Sequence, residues 1–301
     1  LMTISRKYQY GLLARHGLGL DTGFAMVDEL KREGVRIVYQ GVEGAYSFGA
    51  MKEFFDDTIT SFHVDTWKEA MEAITKGEAD YAVLPIENST AGTVNEMYDL
   101  LDEFENYIVA ETILPVVHTL SGLPGAKLSD IKKVYSKTEA LMQTSEFLDD
   151  HGDWQKISVV NTAVAAKKVI EEQDISQAAV CSAYAAKVHG LEVLVDEIND
   201  DEDNSTRFIV VTNQKIFLKN ASKISIRFDS PHQSGSLYGI LSHFIYNDLN
   251  MTKIASRPIK GRPWEYCFFV DFEGNLEDPA VKNAIRGLRE EATNLKILGN
   301  Y

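Results

Sequence analysis

Cysteine is scarce: there are two in 301 residues, Cys181 and Cys267, far apart and without any partner spacing. That excludes a disulfide framework and a cysteine-based zinc site. Seven prolines and 20 glycines are too few for a collagen-like or low-complexity chain. No apolar run approaches the ~18 residues that span a bilayer. The opening stretch LMTISRKYQYGLLARHG breaks its apolar face with charge and has no small-residue cleavage site, so it does not read as a signal peptide. A cytoplasmic protein is expected. Positive charge is the larger deficit, with 30 Lys and Arg against 45 Asp and Glu and a net charge of −15. Such a field repels nucleic acid and anionic membranes, and neither is expected as a partner. An anionic ligand would need local cations and helix N-termini to hold it. No Gly-x-Gly-x-x-Gly follows a strand, no Walker sequence occurs, and no His-x-x-x-His pair is present. No metal and no other cofactor is indicated.

What is there is the usage of an ordinary globular protein, 45% hydrophobic and 25% charged, long enough for two domains. Ile4, Tyr8 and Leu12 share a helical face at i, i+4 spacing. Residues 16–35, with glycines at 17, 19 and 23 and then a short charged helix, read as a linker. From residue 36 short apolar strands alternate with helices. IVYQ (37–40) leads to a helix near Ser47, and YAVLPIEN (81–88) to a helix with a Thr93/Glu96 capping box. VYS (134–136) precedes a helix TEALMQTSEFL, and ISVV (157–160) runs into Asn161 and Thr162 as caps. AAVC (178–181) leads to a helix closed by Gly190. This alternation implies βαβ units and a largely parallel sheet, which binds ligands beyond the carboxyl ends of its strands. Near residue 220 the order becomes β-α-β-β-α-β, a separate ferredoxin-like domain. In its first helix Leu237, Leu241 and Phe244 or Ile245 face inward.

Four strand ends deliver hydroxyl and amide residues onto helix starts: GAYS (44–47), ENST (87–90), SKT (136–138) and NT (161–162). Ser, Thr and Asn are ordinary caps, yet four such junctions also make a shared anion site. The segment NSTRFIVV (204–211) supplies a cation. Thr206 could donate a proton and Arg207 could fork onto a carboxylate, although a lone strand-edge Arg is more often a solvated charge. The acidic run DEINDDED (196–203) lacks the ligand alternation of a calcium loop and reads as solvated. His118, in PVVHTL, reads as a core histidine.

Taken in order, YQGVEGAYSFGA, VLPIENSTAGTV, YSKTEALMQ, AAVCSAYAAKVHGLEVL and NSTRF resemble prephenate dehydratase. GSLYGIL, TKIASRP and WEYCFFVDFEG resemble the phenylalanine-binding ACT-type regulatory domain fused to that enzyme, and ISRKYQYGLL resembles the last helix of a chorismate mutase domain. The resemblance implies a bilobal catalytic domain of the type II periplasmic-binding-protein kind over 36–215, with lobe boundaries near 115 and 190. It implies an ACT-type domain over 220–301 and a remnant of a chorismate mutase fusion over 1–35. The implied activity is decarboxylative dehydration of prephenate to phenylpyruvate, feedback-regulated by phenylalanine, with no cofactor. Thr206 matches the family's essential threonine as general acid, and Arg207 would hold a carboxylate or polarise it. Ser47, Asn88, Ser89, Thr90, Asn161, Thr162 and Phe208 would bind substrate. Gly235, Ser236, Leu237, Ser256, Arg257 and Pro258 would bind phenylalanine. Val42 and Ala45 depart from a frequent Pro and Thr, KTE (137–139) from His-Pro-Gln, and Ala255 from the Glu of Glu-Ser-Arg-Pro. Arogenate is the competing substrate, and a non-catalytic binding module or amino-acid sensor the competing class. A homodimer or tetramer is expected.

Overall fold

The computed structural model describes residues 20–56 and 58–301, with positions 5, 8, 9, 11 and 12 of the N-terminal segment. Of the N-terminal helix expected from Ile4, Tyr8 and Leu12, Ile4 falls outside the described residues, and Tyr8 and Leu12 are helical and exposed. The chain forms two compact units, one of residues 32–97 and 112–210, the other of 1–31, 98–111 and 211–301. No helix among the described residues is long and apolar enough to cross a membrane.

The central unit carries two groups of strands. In the first, Arg36–Gln40 lies parallel between Thr60–Val64 and Tyr81–Asn88, and Ser205–Thr212 borders Tyr81–Asn88 on its other side. Helices Tyr46–Phe54 and Trp67–Thr75 connect these strands. The second is a five-stranded sheet in the order Glu192–Val195, Thr119–Gly122, Gln177–Cys181, Lys133–Ser136, Gln155–Ser158. It is mixed, not all parallel, because Thr119–Gly122 runs antiparallel to both neighbours. No helix precedes that strand within its sheet, so no crossover dictates its direction.

Helix starts follow local chemistry. Asn161 accepts from the Val164 amide at 2.8 Å and opens Thr162–Glu172. Ser182 accepts from Ala185 and opens Ala183–His189, which Gly190 ends at φ +74°. Three expectations fail for physical reasons. Thr93 caps nothing, because Gly92–Thr93 is a short strand pairing back on Glu87 and Asn88, and the helix Asn95–Glu103 begins later. The helix expected over 138–148 is two, Thr138–Met142 and Ser145–Asp149. Thr144 bonds back to the Ala140 carbonyl, and Asp200 takes the Ser145 and Glu146 amides, starting a new helix. The charged helix expected before residue 35 is absent. A strand, Ala25–Val27, pairs there with Ile216–Leu218, and the few residues after it are too short to hold a helix.

In the other unit, Lys223–Asp229, Ser236–Tyr246, Met251–Pro258, Tyr266–Glu273, Pro279–Glu291 and Thr293–Asn300 follow the β-α-β-β-α-β order. Their antiparallel sheet runs Met251–Pro258, Tyr266–Glu273, Lys223–Asp229, Thr293–Asn300, the ferredoxin-like arrangement. Its core joins Ile224, Ile226, Phe228 and Phe272 of the sheet to Phe244, Ile285 and Leu288 of the helices. Phe244 is the inward member of its pair, and Ile245 is exposed. The two helices approach so closely that a Cβ on Gly287 would lie 2.2 Å from Nδ1 of His243.

Candidate active site

The strand Tyr81–Asn88 ends in Glu87 and Asn88, and Ser205–Thr212 begins with Ser205, Thr206 and Arg207. The Ser89 amide donates to the Ser205 carbonyl, and the Ser205 amide donates to Oγ of Ser89, at 2.8 and 2.9 Å. This reciprocal pair fixes one strand end against the other.

Asn88 organises what lies between. Its Oδ1 accepts from the amides of Thr90 and Ala91, at 3.1 and 2.7 Å, and from the Thr90 hydroxyl at 2.8 Å. Its Nδ2 lies 2.8 Å from Oδ1 of Asn204, 3.0 Å from the Ser205 carbonyl and 3.0 Å from Oγ1 of Thr206. The Thr206 hydroxyl is therefore an acceptor from Asn88, and its own proton has no acceptor among the described residues. Adjacent strand residues face opposite sides. Arg207 accordingly points away from Thr206 and donates to Glu87 at 2.7 Å, with Arg207 only 13% exposed.

The other expected residues are placed as follows. Ser89 belongs to the cluster through Ser205, and Thr90 through Asn88. Asn161 and Thr162 sit at a helix start in the other lobe, where Asn161 lies 3.7 Å from where a Cβ on Gly41 would be. Ser47 is buried in the first turn of its helix. Neither Ser47, Asn161 nor Thr162 shares a hydrogen bond with Asn88 or Thr206 among the described residues. Phe208 is a buried core side chain of its strand.

Four participants lie outside the residues assigned to the site from the sequence. Asn204 is buried and its Nδ2 has no partner among the described residues. Gln143, from the other lobe, donates to the Thr90 hydroxyl at 2.9 Å. His118, 2% exposed, lies with Nε2 3.1 Å from Oε1 of Gln143. The Tyr46 hydroxyl reaches Nδ1 of His118 at 3.2 Å and the Val117 carbonyl at 2.8 Å. Burial lowers the His118 pKa, against the Gln143 bond, and raises that of Tyr46. Both are neutral at physiological pH. Burial also pushes the Cys181 thiol up to about 12, which makes it a poor nucleophile. Among the described residues no three His, Cys, Asp or Glu side chains are grouped to hold a metal ion.

In the other unit a cavity of about 390 Å³ is lined by Ser230, Pro231, Ser236, Trp264, Tyr266 and Phe268, among others. Of the six residues expected to bind phenylalanine, Ser236 lines it. Gly235 is the left-handed N-cap beside it at φ +81°. Leu237 packs on the core. Ser256 and Pro258 are exposed on the strand Met251–Pro258, and Arg257 forks onto Asp99 at 2.9 and 2.5 Å.

These elements define a two-lobed α/β protein whose strand ends present an ordered set of hydroxyls and amides. The profile of the family described as prephenate dehydratase matches residues 37–216. The chain is 37% identical over 278 residues to arogenate dehydratase/prephenate dehydratase 2, chloroplastic, of Arabidopsis thaliana, across 89% of this chain and 72% of that protein. It is 32% identical over 268 residues to the bifunctional chorismate mutase/prephenate dehydratase of Pseudomonas aeruginosa, across 89% and 73%. The crystal structure of prephenate dehydratase from Arthrobacter aurescens in complex with L-Phe superposes with a TM-score of 0.82 at 30% identity, covering 89% of each chain. The chain belongs to the prephenate dehydratase family and is an enzyme of that type.

Proposed function

We propose that the chain converts prephenate to phenylpyruvate, with Thr206 as the proton donor. The C–C bond to the ring carboxylate breaks as CO2 leaves, and its electron pair enters the ring. The ring expels hydroxide and becomes aromatic, and the departing oxygen takes the Thr206 proton to leave as water. The step consumes one proton and needs no oxidant. Supporting this reading is the Asn88 amide, which makes Thr206 an acceptor and leaves its proton for a substrate. Thr206→Ala should lower kcat by about 10²–10⁴, the usual worth of one positioned proton donor, with KM little changed. Unchanged turnover in that variant would remove Thr206 from the chemistry. Assaying the purified chain with prephenate and with arogenate separates the two substrates, since only the first gives phenylpyruvate.

Residues 36–215 are read as the catalytic domain and 220–301 as an ACT-type domain that lets phenylalanine inhibit it. The ferredoxin-like order and the cavity at Ser236 support this, with Gly235, Ser236, Leu237, Ser256, Arg257 and Pro258 as the region concerned. The N-terminal segment is read as the end of a chorismate mutase domain, the setting as cytoplasmic, and the assembly as a homodimer or tetramer.

A further inference from the structure

We infer that His118, through Gln143, is a positioning residue for the reaction: its Nε2 proton fixes the Gln143 amide, and the amide fixes the proton order around Asn88 and Thr206. The inference rests on the reading of Thr206 as proton donor.

Donor and acceptor roles propagate from a point where no alternative exists. Oδ1 of Asn88 takes two backbone amides and Nδ2 donates to a backbone carbonyl, so this amide has one orientation. The Thr90 hydroxyl, 2.8 Å from Oδ1 of Asn88, must then be the donor in that pair. With its proton so placed, Thr90 can only accept from Gln143, which turns Nε2 of Gln143 toward Thr90 and Oε1 toward His118. A neutral imidazole has one N–H. Facing a carbonyl oxygen, Nε2 must carry it, and the bare Nδ1 at 3.2 Å then competes with the Val117 carbonyl at 2.8 Å for the single Tyr46 proton. From Asn88 to Nε2 of His118, each link excludes the reverse of the next. Were Gln143 to flip, its oxygen would draw the Thr90 proton from Asn88, and Thr90 would no longer brace the amide that holds Thr206. Gln143 also joins the lobe of the five-stranded sheet to the lobe that carries Thr90, so the same amide closes the site.

Two polar replacements separate this role from simple burial. In His118→Gln the side-chain N–H falls near the position of Nε2; in His118→Asn it falls near Nδ1. His118→Asn should lower kcat by about 3- to 10-fold, the worth of one neutral hydrogen bond, with KM for prephenate unchanged. His118→Gln should stay near the natural enzyme. In a Gln143→Leu background His118→Asn should cost nothing more. Equal loss in the two His118 variants, or effects that multiply with Gln143→Leu, would overturn the inference. The ¹⁵N spectrum of the His118 ring in the natural chain needs no variant: the Nε2–H tautomer supports it, and the Nδ1–H tautomer refutes it. Thr206→Ala run in parallel keeps the two readings apart. Full turnover there defeats the reading of Thr206, whereas a slow Thr206→Ala beside equal His118 variants defeats the role of His118 alone.

Discussion

Burial draws the His118 pKa down and the Gln143 bond only partly opposes it. Folding thus favours the neutral ring. The unfolded imidazole titrates near ~6.5 and the folded one below that. The ring's contribution to stability is complete above the unfolded value and is lost as pH falls through the folded one. The groups against it, Tyr46 and Gln143, stay uncharged over that range. The urea midpoint of the natural chain should therefore fall more between pH 7 and pH 5 than that of His118→Gln; equal falls would show that acid sensitivity lies elsewhere. From the sequence, PVVHTL reads as a strand with a core histidine; His118 is buried, but it lies between the strands Tyr107–Pro115 and Thr119–Gly122 and in neither. Its second role depends on Gln143, 25 positions away, and on Thr90, 53 positions from Gln143. No local spacing reports such a pair. Asn88, Ser89 and Thr206 were legible because each sits in a short run with its own chemistry. The engagement of Arg207 by Glu87 was not, since those residues are 120 positions apart.

Elements were most legible where a single face or cap decides them. Lys223–Asp229 coincides with the expected strand, and Gly190 ends the helix assigned to it. The break between Thr138–Met142 and Ser145–Asp149 was hidden because Asp200, in a run that reads as solvated, supplies the second cap. Helix pairing makes a sharper demand at Gly287. A methyl there would sit 2.2 Å from Nδ1 of the buried His243, so the helices must separate or His243 must leave its rotamer. Gly287→Ala should cost about 1–3 kcal/mol, typical of overpacking. Differential scanning calorimetry reads this directly, and an unchanged melting temperature would show that the helices yield freely.

At the scale of the molecule, a chain of net charge −15 that handles a dianion must rely on short-range donors. The proposed regulation by phenylalanine poses the same problem. Ala255 faces Phe269 across the strands and brings no carboxylate to a ligand's ammonium group. One charge-assisted hydrogen bond is worth ~1.5–3 kcal/mol, or about 10–150-fold in affinity. Phenylalanine should thus inhibit Ala255→Glu more tightly than the natural chain when titrated against activity. Equal inhibition constants would make Ala255 a neutral departure, and no inhibition in either would end the regulatory reading.

The hydrogen bond from Asn88 to Thr206 joins residues 118 positions apart. A ribosome translating this message completes the first lobe's parallel strands and the whole second lobe before Thr206 is added. Until Ser205–Thr212 has emerged and seated beside Tyr81–Asn88, the nascent chain holds the Asn88 and Gln143 amides and lacks the hydroxyl that Asn88 orients. The site is silent until that strand arrives and gains its chemistry with it.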